Sequence, residues 1–173
     1  MKVSRELKLK GKTAVFIDAA NIELSAKDLG FKVDYKKLLR WLSQEAKLAF
    51  IGFYTVRFNT KEHDGFLTVL KKSGYKLVTK PIKLIKNRKN GGHVRKANFD
   101  VEIAVDLLQD SNNYQTAIIF SGDSDFEYVI RQLIKKNKKV VICSSRSALS
   151  RELIRVANEV ILLGNIRKEI EFR

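Results

Sequence analysis

The chain has 173 residues, of which 45% are hydrophobic, and 34 Lys and Arg outnumber 19 Asp and Glu to give a net charge of +15. A chain of this length can bury roughly two-thirds of its unfolded surface, so we expect one domain over residues 1–173, with 1–12 as a basic N-terminal extension. No apolar run approaches the ~20 residues of a membrane-spanning helix, which argues against a membrane protein of that type and favours a soluble one. The charge favours an anionic partner, a nucleic acid or an anionic surface.

Short β-branched runs alternate with stretches of helical period, a pattern typical of an α/β domain with a mainly parallel sheet. In chain order, strands are predicted at 13–18, 49–56, 75–79, 116–121, 140–143 and 159–163. Helices are predicted from Asp34 to about 47, at 61–73, 97–108, 126–137 and 148–156. Asp34 can cap its helix, and Gly74 and Asn137 follow lysines at predicted helix ends.

The single cysteine, Cys143, falls in a predicted strand beside Val141 and Ile142. One cysteine excludes a disulfide within the chain, and its apolar neighbours favour a buried core thiol over a nucleophile. A reducing cytoplasm is the expected compartment.

Asp18 closes the first predicted strand, and Asn21 follows at the expected turn into a helix. A carboxylate held rigidly at a strand end can bind a metal ion, and Asn21 can orient a water or contact a phosphate. Both residue types also cap helices, so this segment alone leaves a capping role open. Ligand sites in open parallel sheets form at the carboxyl ends of strands where strand order reverses, which is where we expect Asp18 to lie.

A polar turn follows the predicted strand at 116–121. Ser121, Gly122, Asp123, Ser124 and Asp125 lead directly into a helix. Gly122 permits a sharp bend or a positive φ. Asp123 can face the crevice while Asp125 braces the loop, caps the helix or holds a second metal ion, and Ser121 can contact a phosphate.

Asp100 lies near the start of a mostly apolar predicted helix, where an unpaired carboxylate would be costly. A metal ion shared with Asp18 and Asp123 would satisfy it. Asp106 lies six residues on, about 240° around the helix, and we expect it to pair with a Lys or Arg rather than to act in catalysis.

Several carboxylates in one pocket would raise one another's pKa values unless a cation were present. Mg²⁺ or Mn²⁺ takes oxygen ligands and keeps positions for water, and a metal-bound water can attack a phosphodiester. No histidine is needed, in keeping with a chain that has only His63 and His93.

A basic segment at 71–96 holds ten Lys and Arg and no acid. Such a run is often only a solvated surface, but it can also hold RNA phosphates. The predicted nucleic-acid contacts in it are Lys80, Lys83, Lys86, Arg88, Lys89, Arg95 and Lys96. Phe99, His93 and Tyr75 are candidates to stack on an unpaired base, although such residues more often belong to the core or the surface.

In this order and spacing, the three acidic segments resemble the motifs of NYN-domain proteins of the LabA-like group, which are PIN-like metal-dependent ribonucleases. The similarity covers about 13–163: Asp18 with Asn21, the helix acids Asp100 and Asp106, and the Ser-Gly-Asp-Ser-Asp-Phe turn at 121–126. Two positions depart from the family pattern, since Asn98-Phe99 replaces the usual Gly-Val and Asn158-Glu159 stands where an acid often precedes the last strand.

The resemblance implies a single NYN domain with a three-layer α/β/α fold and a metal-dependent endoribonuclease that hydrolyses RNA phosphodiester bonds. The residues that match are Asp18, Asp100 and Asp123 as metal ligands, with Asp125 and Asn21 completing the catalytic set. An RNA-binding regulatory module with little or no catalysis is the alternative from another class. A phosphatase of the haloacid dehalogenase type would need a second acid where Ala20 stands. DNA stays open as a substrate, and a homodimer is compatible with the sequence.

Overall fold

The computed structural model describes residue 9 and residues 11–81, 83–86, 93–96 and 98–172, with the backbone alone for 83–86 and 93–96. The strands of these residues are β1 (Lys12–Asp18), β2 (Lys47–Arg57), β3 (Lys76–Pro81), β4 (Lys83–Lys86), β5 (His93–Lys96), β6 (Thr116–Phe120), β7 (Lys139–Ser144) and β8 (Glu159–Leu162). The α-helices are α1 (Ala19–Asp28), α2 (Tyr35–Glu45), α3 (Lys61–Lys72), α4 (Asp100–Gln109), α5 (Glu127–Lys135), α6 (Arg151–Val156) and α7 (Arg167–Ile170).

Six strands form one parallel sheet in the order β3-β2-β1-β6-β7-β8, and β4 and β5 form a separate antiparallel hairpin. From the central pair of β1 and β6 the chain winds outward in both directions. The strand order therefore reverses between β1 and β6, which opens a crevice at their carboxyl ends. The prediction that Asp18 and the turn after β6 face the same crevice is consistent with this order.

Both faces of the sheet are covered by helices because its strands are apolar on both sides. Val15 and Ile17 of β1 pack in a cluster with residues of α1 and α2 on one face. Ala14 and Phe16, the alternate residues, pack with α4 and α5 on the other. The fold is thus the expected three-layer α/β/α arrangement.

Helix ends follow the local chemistry of the sequence. The Asp34 carboxylate caps α2 by accepting hydrogen bonds from the backbone N–H groups of Lys36 and Lys37, at 2.9 and 3.1 Å. Gly74 and Asn137, just beyond the ends of α3 and α5, adopt φ values of 104° and 59°. These are the left-handed conformations that such residues tolerate best.

Several elements differ from the prediction. Residues 19–28 form α1, for which no helix was delimited, and α4, α5 and α6 begin one to three residues later than expected. The basic segment also contains the strands β4 and β5, which were not predicted and which pair the β-branched Ile85 with Val94 in an antiparallel hairpin. Residues 87–92 lie outside the described part of the chain.

Cys143 is fully enclosed in β7, and burial raises the pKa of its thiol. The predicted core thiol is therefore confirmed. In the described part of the chain, each helix is too short or too polar to cross a membrane.

Candidate metal centre

The crevice between β1 and β6 collects the acidic segments. Ile17 pairs with Phe120 in the parallel register, so Asp18 and the turn that begins at Ser121 leave the sheet side by side. The helix α4 begins at Asp100 and packs against both β1 and the turn that contains Asp125. Three separate parts of the chain thereby deliver carboxylates to one place.

Asp100, Asp123 and Asp125 each offer a carboxylate oxygen, and these three oxygens lie within 4.8 Å of one another. Oxygens on opposite sides of one Mg²⁺ are about 4.2 Å apart, twice a ligand distance of ~2.1 Å. The spacing of the three oxygens is thus close to that of ligands to one ion, and the side chain of Asp125 is exposed. Asp125, for which the sequence left open bracing the loop, capping the helix or holding a second metal ion, thus lies in one cluster with Asp100 and Asp123.

Asp18 borders this group without being one of the three. Its carboxylate caps α1 by accepting hydrogen bonds from the backbone N–H groups of Ala20 and Asn21, at 3.1 and 3.3 Å. Burial, together with the charges of Asp100 and Asp123, raises its pKa to about 6 against the lowering effect of these hydrogen bonds. Asp18 is a helix cap and also lies in the electrostatic field of the cluster, so its two predicted roles are compatible.

The same field acts on Asp100. Burial raises the pKa of its carboxyl group, and so do the charges of Asp123 and Asp125, while a hydrogen bond from the Asn98 side chain opposes the rise. Among the described basic side chains, none forms an ion pair with Asp18, Asp100, Asp123 or Asp125. Uncompensated carboxylates with hard oxygen donors are suited to Mg²⁺ or Mn²⁺, so the residues fit such an ion.

The neutral residues of the motif hold the loop in place. The side-chain oxygen of Asn21 accepts a hydrogen bond from the Gly122 backbone N–H at 3.1 Å, which ties α1 to the turn after β6. The buried Ser121 hydroxyl accepts one from the backbone N–H of Asp123 at 3.3 Å. Asp123 in turn accepts from the N–H of Asp125 at 3.0 Å. Asn21 and Ser121 therefore hold the turn that carries the acids, and their contacts with water or phosphate stay predictions.

Gly122 is required by close packing and not by a positive φ. A Cβ atom at this position would come within 2.2 Å of the Ala148 carbonyl oxygen and 2.6 Å of the Ser144 hydroxyl. The Gly122 carbonyl also accepts a hydrogen bond from the Ser150 backbone N–H at 3.0 Å. The loop after β7 is consequently packed directly on the acidic turn.

Asp106 lies outside the cluster. Its carboxylate accepts a hydrogen bond from the Tyr54 hydroxyl at 2.8 Å, and burial and this contact raise the pKa of Tyr54. The expected Lys or Arg partner is thus replaced by a phenol on β2, and Asp106 stabilises the packing of α4 on the sheet. Glu159 also lies outside the cluster. It is the first residue of the edge strand β8 and forms an ion pair with Lys139 at 2.7 Å.

The predicted nucleic-acid contacts can be located only in part. Lys80 donates a hydrogen bond to the Asn98 carbonyl at 3.0 Å, pairs with Glu102 and lies 4.9 Å from the Phe99 ring centre. The hairpin of β4 and β5 joins the end of β3 to the start of α4, so its backbone leaves and rejoins the fold beside the crevice. Outside the described side chains lie those of Lys83, Lys86, Arg88, Lys89, His93, Arg95 and Lys96.

Two of the three candidate stacking residues are unsuited to that role. Tyr75 is 3% exposed and Phe99 is 5% exposed, because both rings complete the packing between helices and sheet. Sequence reasoning missed two exposed residues on elements that adjoin the acidic turn, Arg146 in the loop after β7 and Tyr128 on α5. Arg146 could have been predicted from the sequence, because it follows the carboxyl end of a predicted strand. Tyr128 could not, because its exposure depends on how α5 packs.

Comparisons with known proteins agree with this architecture. Residues 12–164 match the NYN domain family. The chain is 29% identical over 161 residues to the low amplitude and bright protein LabA of Synechococcus elongatus. The aligned region covers 91% of this chain and 87% of LabA. A crystal structure of a Vibrio parahaemolyticus protein of unknown function superposes with a TM-score of 0.79 and 22% identity, covering 96% of this chain and 99% of that one. The structural likeness shows a shared α/β fold.

Proposed function

The chain belongs to the NYN domain family, and from this premise we propose that it is an endoribonuclease that hydrolyses RNA phosphodiester bonds with a divalent metal ion. The observation that carries the proposal is the convergence of Asp100, Asp123 and Asp125 within 4.8 Å at the switch point of the sheet. NYN domains are PIN-like nuclease domains, and an acidic cluster in a chain of net charge +15 suits an ion acting on a polyanion.

Asp100, Asp123 and Asp125 would hold Mg²⁺ or Mn²⁺, and Asp18 would add negative charge beside it. Such an ion, when bound, supplies an activated water and neutralises charge on the scissile phosphate. The protein's part is to hold the acids in place: Asn21 fixes the backbone of Gly122, Ser121 fixes that of Asp123, and Asp123 fixes that of Asp125. Preorganisation of this kind limits the rearrangement needed at the moment of reaction.

The RNA backbone would be held by cations around the crevice. We assign this role to the basic hairpin and to Arg146, which is exposed in the loop packed on Gly122. Lys80 is tied to α4 by Glu102 and Asn98, so it is better placed to support the start of that helix than to bind phosphate. We place the activity in the cytoplasm, with which the free thiol of Cys143 is compatible.

The test is cleavage of labelled single-stranded and structured RNAs and matched DNAs in Mn²⁺, Mg²⁺ or EDTA. We expect cleavage only with metal, and a loss of about 100-fold or more in Asp123→Asn and Asp100→Asn, because even residues that only support metal ligands contribute 10- to 100-fold. Asp28→Asn is the matched control, since Asp28 is an exposed acid at the far end of α1.

Two outcomes would contradict the proposal. Cleavage that survives both substitutions would place the reaction elsewhere, for example in a contaminating nuclease. RNA binding without cleavage under every metal condition, unaffected by Asp123→Asn, would instead identify an RNA-binding regulatory module with the same fold. Preference for DNA in the same panel would keep the chemistry and change the substrate.

A further inference from the structure

Among the large hydrophobic residues that the structure describes, Tyr128 is the most exposed aromatic, with 73% of its surface accessible. It lies in the first turn of α5, three residues after Asp125. No hydrogen bond or ring contact to another described residue holds it. A single exposed ring is common on protein surfaces, so it is the position of Tyr128 beside the acidic turn that makes it a candidate for function.

The helical spacing places Tyr128 on the same side of its helix as Asp125. Asp125 belongs to the 3-10 turn Ser124–Phe126 that runs directly into α5, and residues three apart in such a helix lie on the same side. Aromatic side chains in helices also lean toward the helix N-terminus, over the preceding turn. The opposite side of α5 is committed to the core through Val129, Ile130 and Leu133.

A second apolar group continues this surface. Val101, next to Asp100 at the start of α4, is 72% exposed, and α4 and α5 pack against each other. Each of the proposed ligands Asp100 and Asp125 is therefore close in sequence to an exposed apolar side chain. Val101 follows Asp100 directly, and Tyr128 lies three residues after Asp125. A strand whose phosphate reaches the carboxylates would place its neighbouring bases against this rim.

We propose that Tyr128 is a stacking platform for an unpaired base of the RNA next to the scissile phosphate. The inference rests on the proposed function and deepens it, because it predicts a preference for single-stranded over paired RNA at the cleavage site. Base stacking on an exposed aromatic ring tolerates any base, so Tyr128 would contribute affinity and strand selection with little sequence specificity.

The test is binding of a fluorescently labelled 12-nucleotide single-stranded RNA, measured by anisotropy in EDTA so that no metal-dependent cleavage intervenes. We expect Tyr128→Ala to weaken binding about fivefold or more, the lower end of what one stacked base contributes. Tyr128→Phe and Tyr128→Trp should bind as the wild type does, because both retain a ring. Phe172→Ala is the matched control, since Phe172 is another aromatic with 66% exposure, close to the C-terminus on the α1 and α2 side of the sheet.

A duplex RNA of the same sequence separates stacking from a general loss of affinity. We expect Tyr128→Ala to leave duplex binding unchanged, because paired bases are not available to the ring. Equal losses for both RNAs, unchanged single-strand binding by Tyr128→Ala, or no measurable single-strand binding by the wild type would each overturn the inference. A fall in sedimentation coefficient in Tyr128→Ala with unchanged RNA binding would reassign the residue to a contact between two copies of the chain.

The binding readout also keeps this inference distinct from the nuclease proposal. If no metal supports cleavage but single-strand binding depends on Tyr128, the nuclease proposal is wrong and the stacking role of Tyr128 stands. If cleavage is metal-dependent but Tyr128→Ala leaves binding unchanged, the nuclease proposal stands and the stacking role is wrong.

Discussion

At the scale of single residues, Asp18 combines two requirements that conflict. Its carboxylate must cap α1, yet it is partly buried and close to Asp100 and Asp123, and its pKa rises from 3.8 to about 6 as a result. Above that pH the folded, metal-free protein carries an unfavourable charge. The acidic cluster thus lowers the stability of the metal-free protein, as is common where charged groups are brought together at functional sites.

We therefore predict that Asp18→Asn raises the melting temperature of the metal-free protein at pH 7.5. The amide oxygen can still accept the hydrogen bonds from Ala20 and Asn21, while the charge is removed. The raised pKa corresponds to at most about 3 kcal/mol, and to about 1–2 kcal/mol after allowance for partial solvation. At roughly 2–4 °C per kcal/mol, the expected gain is about 2–8 °C, measured by differential scanning fluorimetry in EDTA.

The sign of the pH dependence provides the check on this prediction. The folded state holds the Asp18 proton up to about pH 6 and the unfolded state loses it near 3.8, so the charge penalty is complete above pH 6 and disappears as the pH falls toward 4. The increase in melting temperature caused by Asp18→Asn should therefore be largest above pH 6, decrease as the pH falls, and vanish near pH 4. Asp28→Asn should show no such trend, and an equal melting temperature for wild type and Asp18→Asn at pH 7.5 would contradict the argument.

At the scale of elements, the site depends on how the loops after β6 and β7 pack together. We predict that Gly122→Ala destabilises the protein by about 1–3 kcal/mol, because the new methyl group would overlap the Ala148 carbonyl, which belongs to the backbone and cannot move alone. The displaced turn carries Asp123, so Mn²⁺ affinity should fall as well. Urea unfolding and calorimetric titration with Mn²⁺ measure the two effects.

Gly65→Ala is the matched control for this substitution. Gly65 lies inside α3 with open space where a Cβ would go, so alanine there should be neutral or stabilising by up to about 1 kcal/mol. Similar losses of stability in both variants, or an unchanged Mn²⁺ affinity in Gly122→Ala, would show that the contact with Ala148 does not position the acids.

The same loops show what could be predicted from sequence. Apolar β-branched runs located the six strands of the sheet, and the acidic turn was placed correctly because strand, Gly and two acids are contiguous. Asp-x-Asp spacing did not reveal which acids converge, since that depends on the 3-10 turn at Ser124–Phe126 and on how α4 meets it. The Tyr54 partner of Asp106 lies 52 residues away, and pairings at that separation leave no local signal.

At the scale of the whole molecule, a net charge of +15 is combined with a small acidic cluster. The net charge attracts a polyanion, whereas within the described part of the chain Asp100, Asp123 and Asp125 form the group of carboxylates close enough to hold a divalent ion. The location of the cations, and not their number alone, should therefore determine how RNA enters the crevice. The hairpin of β4 and β5 is the element best placed to do so, because it connects β3 to the start of α4.

We predict that replacing Lys83, Lys86, Arg95 and Lys96 together by Gln weakens single-stranded RNA binding and flattens its salt dependence. Each phosphate contact contributes about 0.7 to the slope of log affinity against log salt, so the loss of four contacts should reduce the slope by up to about 3. The matched control replaces Lys27, Lys36, Arg40 and Lys47, which change the net charge equally but lie on α1, on α2 and at the amino edge of the sheet. If binding depended on net charge alone, the salt dependence of both variants would flatten equally. A change confined to the hairpin variant would place the RNA path beside α4, which begins at Asp100.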